Sequence, residues 1–267
     1  MAGEKELFEA RLLDLCRRAE RYEPCMSPFL TPKECFLAAQ YMKRCGTDAF
    51  GVLYGGYDDC ERARLLVLPD YLADADASSW SAAEVRERLP ELAEEAVAAL
   101  SVQGSGYRTL SHRDYLGALL GFGLERAVLG DIAVTDEHSA IVFCDARIAP
   151  FLLSELSAVG SDKVKVKPFA LTPELSLPRS FESITDTVAS PRLDAVVASL
   201  ARLSREGAQQ ALAKGLVELD YEMCDKSDKT VCEGAIISIR GQGKFIVRSL
   251  SGLTKKGRYR LLADKYR

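Results

Sequence analysis

Apolar side chains recur at helical spacing in residues 4 to 21, where Phe8, Leu12, Leu15, Cys16 and Ala19 make one stripe on an otherwise charged segment. A second helix is predicted over 31 to 46: Thr31 can cap it, Pro32 suits its first turn, Glu34 completes a capping box and Gly46 can end it. The pattern then shifts from stripe to run. AFGVLYG and ARLLVLPDY are short apolar segments on either side of the polar GYDDCER, as a strand pair around a loop would be. Together these elements predict a small N-terminal α/β module over 1–75, closing near Tyr71 ahead of the small-residue connector ADADASSWS, in which Ser81 and Glu84 open a further short helix.

From residue 96 the order of elements is informative. AVAALSVQG reads as a strand, 112 to 122 as a helix, DIAVT and SAIVFCD as two strands, ARIAPFLLSELSAVG as a helix stopped by Gly160, and KVKVKPFAL as a last strand. The order β-α-β-β-α-β predicts a ferredoxin-like (RRM-like) middle domain over 76–172. A Pro/Ser/Thr-rich stretch, TPELSLPRSFESITDTVASP, reads as a linker over 173–189. The last unit, 190–267, is expected to hold a helix from Ser190 and Pro191 through Leu203, a second capped by Ser204 and ending at Gly215, strands at LVELD, GAIISIRG and KFIVRSL, and a basic tail. The fold class is therefore α+β.

Charge changes the picture more than composition does. The net charge is −4, but residues 187–267 hold 15 Lys/Arg against 9 Asp/Glu, a net of +6, which leaves −10 for residues 1–186. Over 240–267 the ratio is 9 basic to 1 acidic, as suits a phosphate-rich partner. The start, MAGEKELFEARLLDL, has neither basic nor apolar leader character and no run reaches membrane length, so a cytoplasmic location and no membrane partner are expected. Eight cysteines include no C-x-x-C pair and only His112 and His138 could join them, so no metal is expected.

The triplet His112-Arg113-Asp114 has the order of a kinase catalytic loop, yet Leu119 stands where that loop needs Asn to hold magnesium, and neither Asp-Phe-Gly nor a Gly-rich phosphate loop accompanies it. Gly117, Gly121 and Gly123 fit no phosphate-cradling motif, and no G-x-S-x-G elbow is present. No catalytic residue and no cofactor is expected; the chain reads as a non-enzyme. The chemistry lies instead in SPRLDAVVASLARLSREGAQQALAKGLVELD, where Arg192, Ser204 and Arg205 stand at helix starts suited to phosphate and Lys214 at a helix end. Arg192 is equally placed to pair with Asp194, and Arg205 to be a solvated helix start. Arg240, Lys244, Lys255, Lys256, Arg258 and Arg260 follow, interleaved with Gly and Tyr259, in a pattern suited to tracking an RNA backbone. Arg113 and Arg126 are candidates for a secondary RNA surface.

Arg192-Leu193-Asp194, Leu203-Ser204-Arg205 with Ala208, Ala211-Leu212 and Gly215-Leu216-Val217 resemble the S4 RNA-binding domain, and the blocks GGYDDCER, HRDYLGALLGFGLERAVLGDI, GQGKF and GLTKKGRYRL resemble the YlmH family, over about residues 29 to 261. The resemblance implies a ferredoxin-like middle domain, a C-terminal S4 domain in which Arg192 and Arg205 face rRNA or tRNA, association with the large ribosomal subunit in rescue of stalled nascent chains carrying peptidyl-tRNA, a link to cell division, and a monomer. Two departures fall at turns: Leu219-Asp220-Tyr221 where many S4 domains have Val-Asn-Gly, and Gly234-Ala235 where they have Gly-Asp. The rival expectations are an RNA-modifying enzyme of the pseudouridine-synthase type, whose catalytic Asp would have to be Asp194, and a cell-division adaptor using the acidic first 186 residues.

Overall fold

The computed structural model describes residues 2–45, 50–73, 76–172, 175, 177, 181–254 and 257–266. It is a mixed α+β chain in two compact units, Met1–Pro178 and Arg179–Arg267.

In the first unit α1 (Ala2–Ala19) and α2 (Pro32–Arg44) flank β1 (Cys25–Leu30), which joins β2 (Phe50–Tyr54) and β3 (Ala63–Leu68) in an antiparallel sheet ordered β1-β3-β2. The Thr31–Glu34 capping box forms as expected, while Gly46 lies outside the described residues. All six residues of β3 are buried because both its faces are covered. Leu65 and Val67 pack under the helices with Leu12, Cys16 and Ala38; Leu66 and Leu68 enter a second cluster with Tyr54, Trp80, Val85, Ala99 and Phe143.

That second cluster spans the expected boundary at 73–81: Ala77 and Trp80 of the connector sit inside it, together with residues of α3 (Ala82–Arg88) and α4 (Pro90–Ala96). The following sheet comprises β4 (Ala98–Gly104), β5 (Leu129–Val134), β6 (Ser139–Cys144), β7 (Ala158–Val159) and β8 (Asp162–Phe169), ordered β5-β6-β4-β8-β7 with antiparallel neighbours. Helices α5 (His112–Gly121) and α6 (Ala149–Glu155) bury Tyr115, Leu119 and Leu152 against Leu100, Val102 and Val142 on one face, while Ala99, Ile141 and Phe143 on the other face join the first sheet's cluster. Helix α6 stops at Glu155, short of the expected Gly160, because Gly160 (φ +59°) instead makes the tight turn from β7 into β8.

Two buried arginines tie the sheets together. The Arg62 guanidinium donates to the carbonyls of Leu129 (2.9 Å) and Arg126 (2.7 Å), and Arg64 donates to Ser27 O (2.7 Å) and Ala96 O (2.9 Å) while pairing with Asp145 (3.1 Å). Asp131 fixes the same seam by accepting from Tyr57 Oη (2.6 Å), Glu61 N (2.7 Å) and Arg62 N (3.0 Å). The blocks GGYDDCER and HRDYLGALLGFGLERAVLGDI are thus two halves of one joint.

The second unit orders its strands β11-β10-β12-β13-β14-β9, from β9 (Phe181–Val188), β10 (Val217–Leu219), β11 (Glu222–Met223), β12 (Ile236–Ile239), β13 (Gly243–Leu253) and β14 (Tyr259–Tyr266). Helices α7 (Leu193–Leu200) and α8 (Arg205–Ala213) lie over it, and Val196, Val197, Leu200, Ala208 and Leu212 pack on Ile237, Phe245, Val247 and Leu261. Two expectations are corrected here. The 173–189 linker contains β9, which pairs with β14 over eight residues, and the basic tail is not a tail: β14 closes a hairpin with β13. The helix expected from Ser190 begins only at Leu193, because Pro191 O accepts from Val231 N (2.8 Å) and Leu193 N reaches Lys229 O (2.8 Å), with Arg192 between them extended; it ends at Leu200 rather than Leu203. Ser204 does cap α8, its Oγ accepting from Gly207 N at 3.0 Å, and Gly215 follows that helix with φ +64°.

The turn at Asp220-Tyr221 keeps its hairpin despite lacking Asn-Gly. Both residues are left-handed (φ 52° and 64°), which costs roughly 1–2 kcal/mol for each non-glycine residue. Asp220 offsets this by exchanging two hydrogen bonds with Ile236, Oδ1 accepting from its N–H (2.9 Å) and the Asp220 N–H donating to its carbonyl (2.8 Å).

Candidate nucleic-acid interface

The candidate site of the second unit is organised by Asp194, a fully buried carboxylate in the first turn of α7. It accepts from Arg192 (3.1 and 3.3 Å), Arg205 (3.3 Å), Gln209 Nε2 (3.3 Å) and Ala195 N (2.9 Å). Burial pushes this carboxyl upward, but the bonds from Arg192 and Gln209 and the Arg192 charge outweigh it, so its pKa falls below the ordinary carboxylate value. Arg192 is 39% exposed and Arg205 62% exposed, so one anion beneath the surface holds two cations above it. Both arginines stand at helix starts, Arg192 as N-cap of α7 and Arg205 as the first residue of α8, while the first N–H groups of α7 are taken up by Lys229 O (2.8 Å) and Ser227 O (3.0 Å). Two cations set on one buried carboxylate leave a net positive charge at the surface.

The other expected residues do not join this pair. Ser204 lies beside it, but its hydroxyl is engaged in capping. Lys214 caps the far end of α8, about 13 Å along the helix by its rise of 1.5 Å per residue, and Arg240 lies near it, its N–H bonded to Leu216 O (2.9 Å). Lys244 and Arg260 belong to the sheet face turned away from the helices, because Phe245, Val247, Leu261 and Ala263 alternate inward, and Arg258 stands in the turn just before β14. On that sheet face Lys244 Nζ sits 4.6 Å from the Tyr266 ring centroid and 5.2 Å from that of Tyr221, while Arg258 Nε donates to Thr187 Oγ1 (3.0 Å). Lys255 and Lys256 lie outside the described residues.

In the first unit Arg113 is exposed on the opening turn of α5, and Arg126 is exposed at the start of the short 3-10 turn (Arg126–Val128) that follows that helix. His112 beside Arg113 is pushed below its usual pKa by burial and by the Arg126 charge. Asp114 of the kinase-like triplet is a helix-capping group: its carboxylate accepts from Ser111 N (2.8 Å) and Ser111 Oγ (2.6 Å) and pairs with Arg108 (3.1 Å). Among the described residues no three His, Cys, Asp or Glu side chains are placed to hold a metal ion, and no described helix is long and apolar enough to cross a membrane. Gln209 was not foreseen in the cluster; its position four residues after Arg205 on α8, hence on the same face, was the available cue.

Residues 4–72 match the family model "YlmH, N-terminal" and residues 91–173 match "Putative RNA-binding domain in YlmH". A curated Bacillus subtilis (strain 168) protein named "Ribosome-associated protein quality control protein P2" is 31% identical over 249 residues, 92% of this chain and 89% of that one. The chain belongs to the YlmH family. A solved structure titled "Cell division protein ylmH from Streptococcus pneumoniae" matches with a TM-score of 0.50 at 21% identity, covering 65% of this chain and 95% of that one, a likeness of fold. The shared apolar cluster draws residues from both matched segments, Tyr54, Leu66 and Leu68 from the first and Ala99, Ile141 and Phe143 from the second.

Proposed function

We propose that this YlmH-family chain is a non-catalytic, cytoplasmic RNA-binding protein that docks structured RNA on the large ribosomal subunit during rescue of stalled nascent chains. The observation that carries the reading is the Asp194 cluster, which presents Arg192 and Arg205 together at two helix starts. It is supported by the family description of residues 91–173 and by the name of the Bacillus subtilis relative. In the same reading the second unit is an S4 domain, the order β5-β6-β4-β8 marks a ferredoxin-like domain in the first, and the protein acts as a monomer that meets rRNA and peptidyl-tRNA.

Arg192→Glu combined with Arg205→Glu is expected to abolish co-sedimentation with large ribosomal subunits at moderate salt, and wild-type binding is expected to fall steeply as salt rises. Undiminished binding by the double variant would overturn the reading. An assay of treated RNA for pseudouridine is expected to find none, and its appearance would favour a modifying enzyme instead. Ribonuclease-resistant capture of protein partners by residues 1–186 would favour a cell-division adaptor.

A further inference from the structure

We propose that Gln209 is a specificity-determining residue of the Asp194 cluster, its side-chain carbonyl accepting a hydrogen bond from a ribose 2′-hydroxyl so that RNA is preferred to DNA. The inference rests on the RNA-binding reading above and names what one side chain of that site recognises.

Asp194 gathers three side chains on one atom. Its Oδ2 accepts from Arg192 Nη2, Arg205 Nε and Gln209 Nε2, each at 3.3 Å. No two of these nitrogens are therefore farther apart than twice that distance, 6.6 Å. Gln209 stands four residues after Arg205 on α8 and so shares its face, and both side chains are exposed.

The carboxylate also decides which way the amide of Gln209 is turned. The arginines beside Asp194 keep it ionised, and an ionised carboxylate only accepts, so Gln209 must offer it the NH2 group and keep the carbonyl oxygen for another partner. No described residue donates to that oxygen. Arg205 spends only its Nε on Asp194, which leaves its two terminal nitrogens for an anion.

This arrangement is complementary to a single nucleotide. A guanidinium donates to phosphate and cannot accept. The other acceptors nearby are spent or unsuited: Ser204 Oγ caps α8, and Glu206, which holds Gln210 Nε2 (3.4 Å), carries the charge that repels phosphate. When a nucleotide is gripped by its phosphate, the donor closest to hand is the ribose 2′-hydroxyl, with the base edges farther out, and DNA lacks that hydroxyl. Were Gln209 only a neutral donor that helps satisfy Asp194, its replacement would weaken RNA and DNA alike.

The test is fluorescence anisotropy of a labelled RNA stem-loop and its all-deoxy counterpart, each titrated with the intact chain at several salt concentrations. Wild type is expected to prefer the RNA by about five- to tenfold, the worth of one hydrogen bond. Gln209→Leu is expected to lose that preference with its log–log salt slope unchanged, because the arginines that displace counterions remain. Gln209→Lys keeps a donor for Asp194 but has no acceptor, and is expected to bind the two nucleic acids nearly equally. Single 2′-deoxy substitutions along the RNA are expected to reveal one position that weakens wild type and leaves Gln209→Leu unaffected. Wild type without a preference, a preference kept by both variants, or equal losses on RNA and DNA overturns the proposal. Wild type that binds neither nucleic acid overturns the underlying reading as well, whereas loss in the Arg192/Arg205 variant with the preference intact in both Gln209 variants overturns only this inference. Matching thermal melts keep the comparison to binding.

Discussion

Replacing Asp194 by Ala removes the anion that holds Arg192 and Arg205 without touching either arginine. Three side-chain donors lose their acceptor, the two guanidiniums and the Gln209 amide, while the Ala195 N–H keeps the Arg192 carbonyl at 3.1 Å. The guanidiniums are 39% and 62% exposed and regain water, so each pair is worth only about 0.5 kcal/mol. The Gln209 amide bond is worth about 1 kcal/mol, giving a loss of about 2 kcal/mol in the second unit. Hydrogen exchange of peptides from α7 and α8 in the intact chain reads that loss as a roughly 30-fold rise in globally opened population, at about 1.4 kcal/mol per decade. The sole tryptophan, Trp80, lies in the other unit and serves as an unperturbed control. Ribosome binding is expected to fall with the arginines still present, because two unanchored cations must be ordered on contact. The carboxyl's native pKa is depressed, so its contribution is complete above the unfolded value near 3.8 and vanishes as pH falls through the lower native value; wild type and variant therefore converge in acid. Equal exchange and equal RNA affinity in Asp194→Ala would refute the clamp.

Gly55→Ala is expected to destabilise the first unit severely, since its Cβ would meet Arg62 O at 2.6 Å and Cys60 Sγ at 2.5 Å, whereas Gly117→Ala, with nothing within 4 Å on an exposed turn of α5, is expected to stabilise by about 0.5–1 kcal/mol; thermal melts followed by Trp80 fluorescence distinguish them. Asp131→Ala leaves Tyr57 Oη and two backbone N–H groups without their acceptor and is expected to cost about 3 kcal/mol in urea unfolding; a loss under 1 kcal/mol would show the joint to be dispensable. Burial pushes the Cys144 thiol to about 12 and the Cys35 thiol to about 11, so at pH 8 a thiol reagent is expected to modify exposed Cys232 first and these two only on unfolding; early labelling of Cys144 would contradict its packing.

Where local chemistry is sufficient, the sequence could be read directly. Thr31-x-x-Glu34, Ser81-x-x-Glu84 and Ser204 cap helices because capping needs only residues three apart. The double burial of ARLLVL was visible as an unbroken apolar run. FESITDTV was not read as a strand because only Ile184 and Val188 join the core, and an edge strand with one wet face carries little pattern. MSPFL in β1, short and interrupted by Pro28, was missed for a similar reason.

By itself the sequence determined the α+β class, most helix starts, the excess of positive charge after residue 187, and the two arginines poised at helix N-termini. Only the tertiary structure decided that Arg192 and Arg205 share one buried carboxylate, that Lys244 and Arg260 lie on strands facing away from the helices, and that 1–178 is one packed unit. Caps and periodicities are set between neighbours a few bonds apart, whereas these three facts depend on which distant segments the burial of apolar surface brings together.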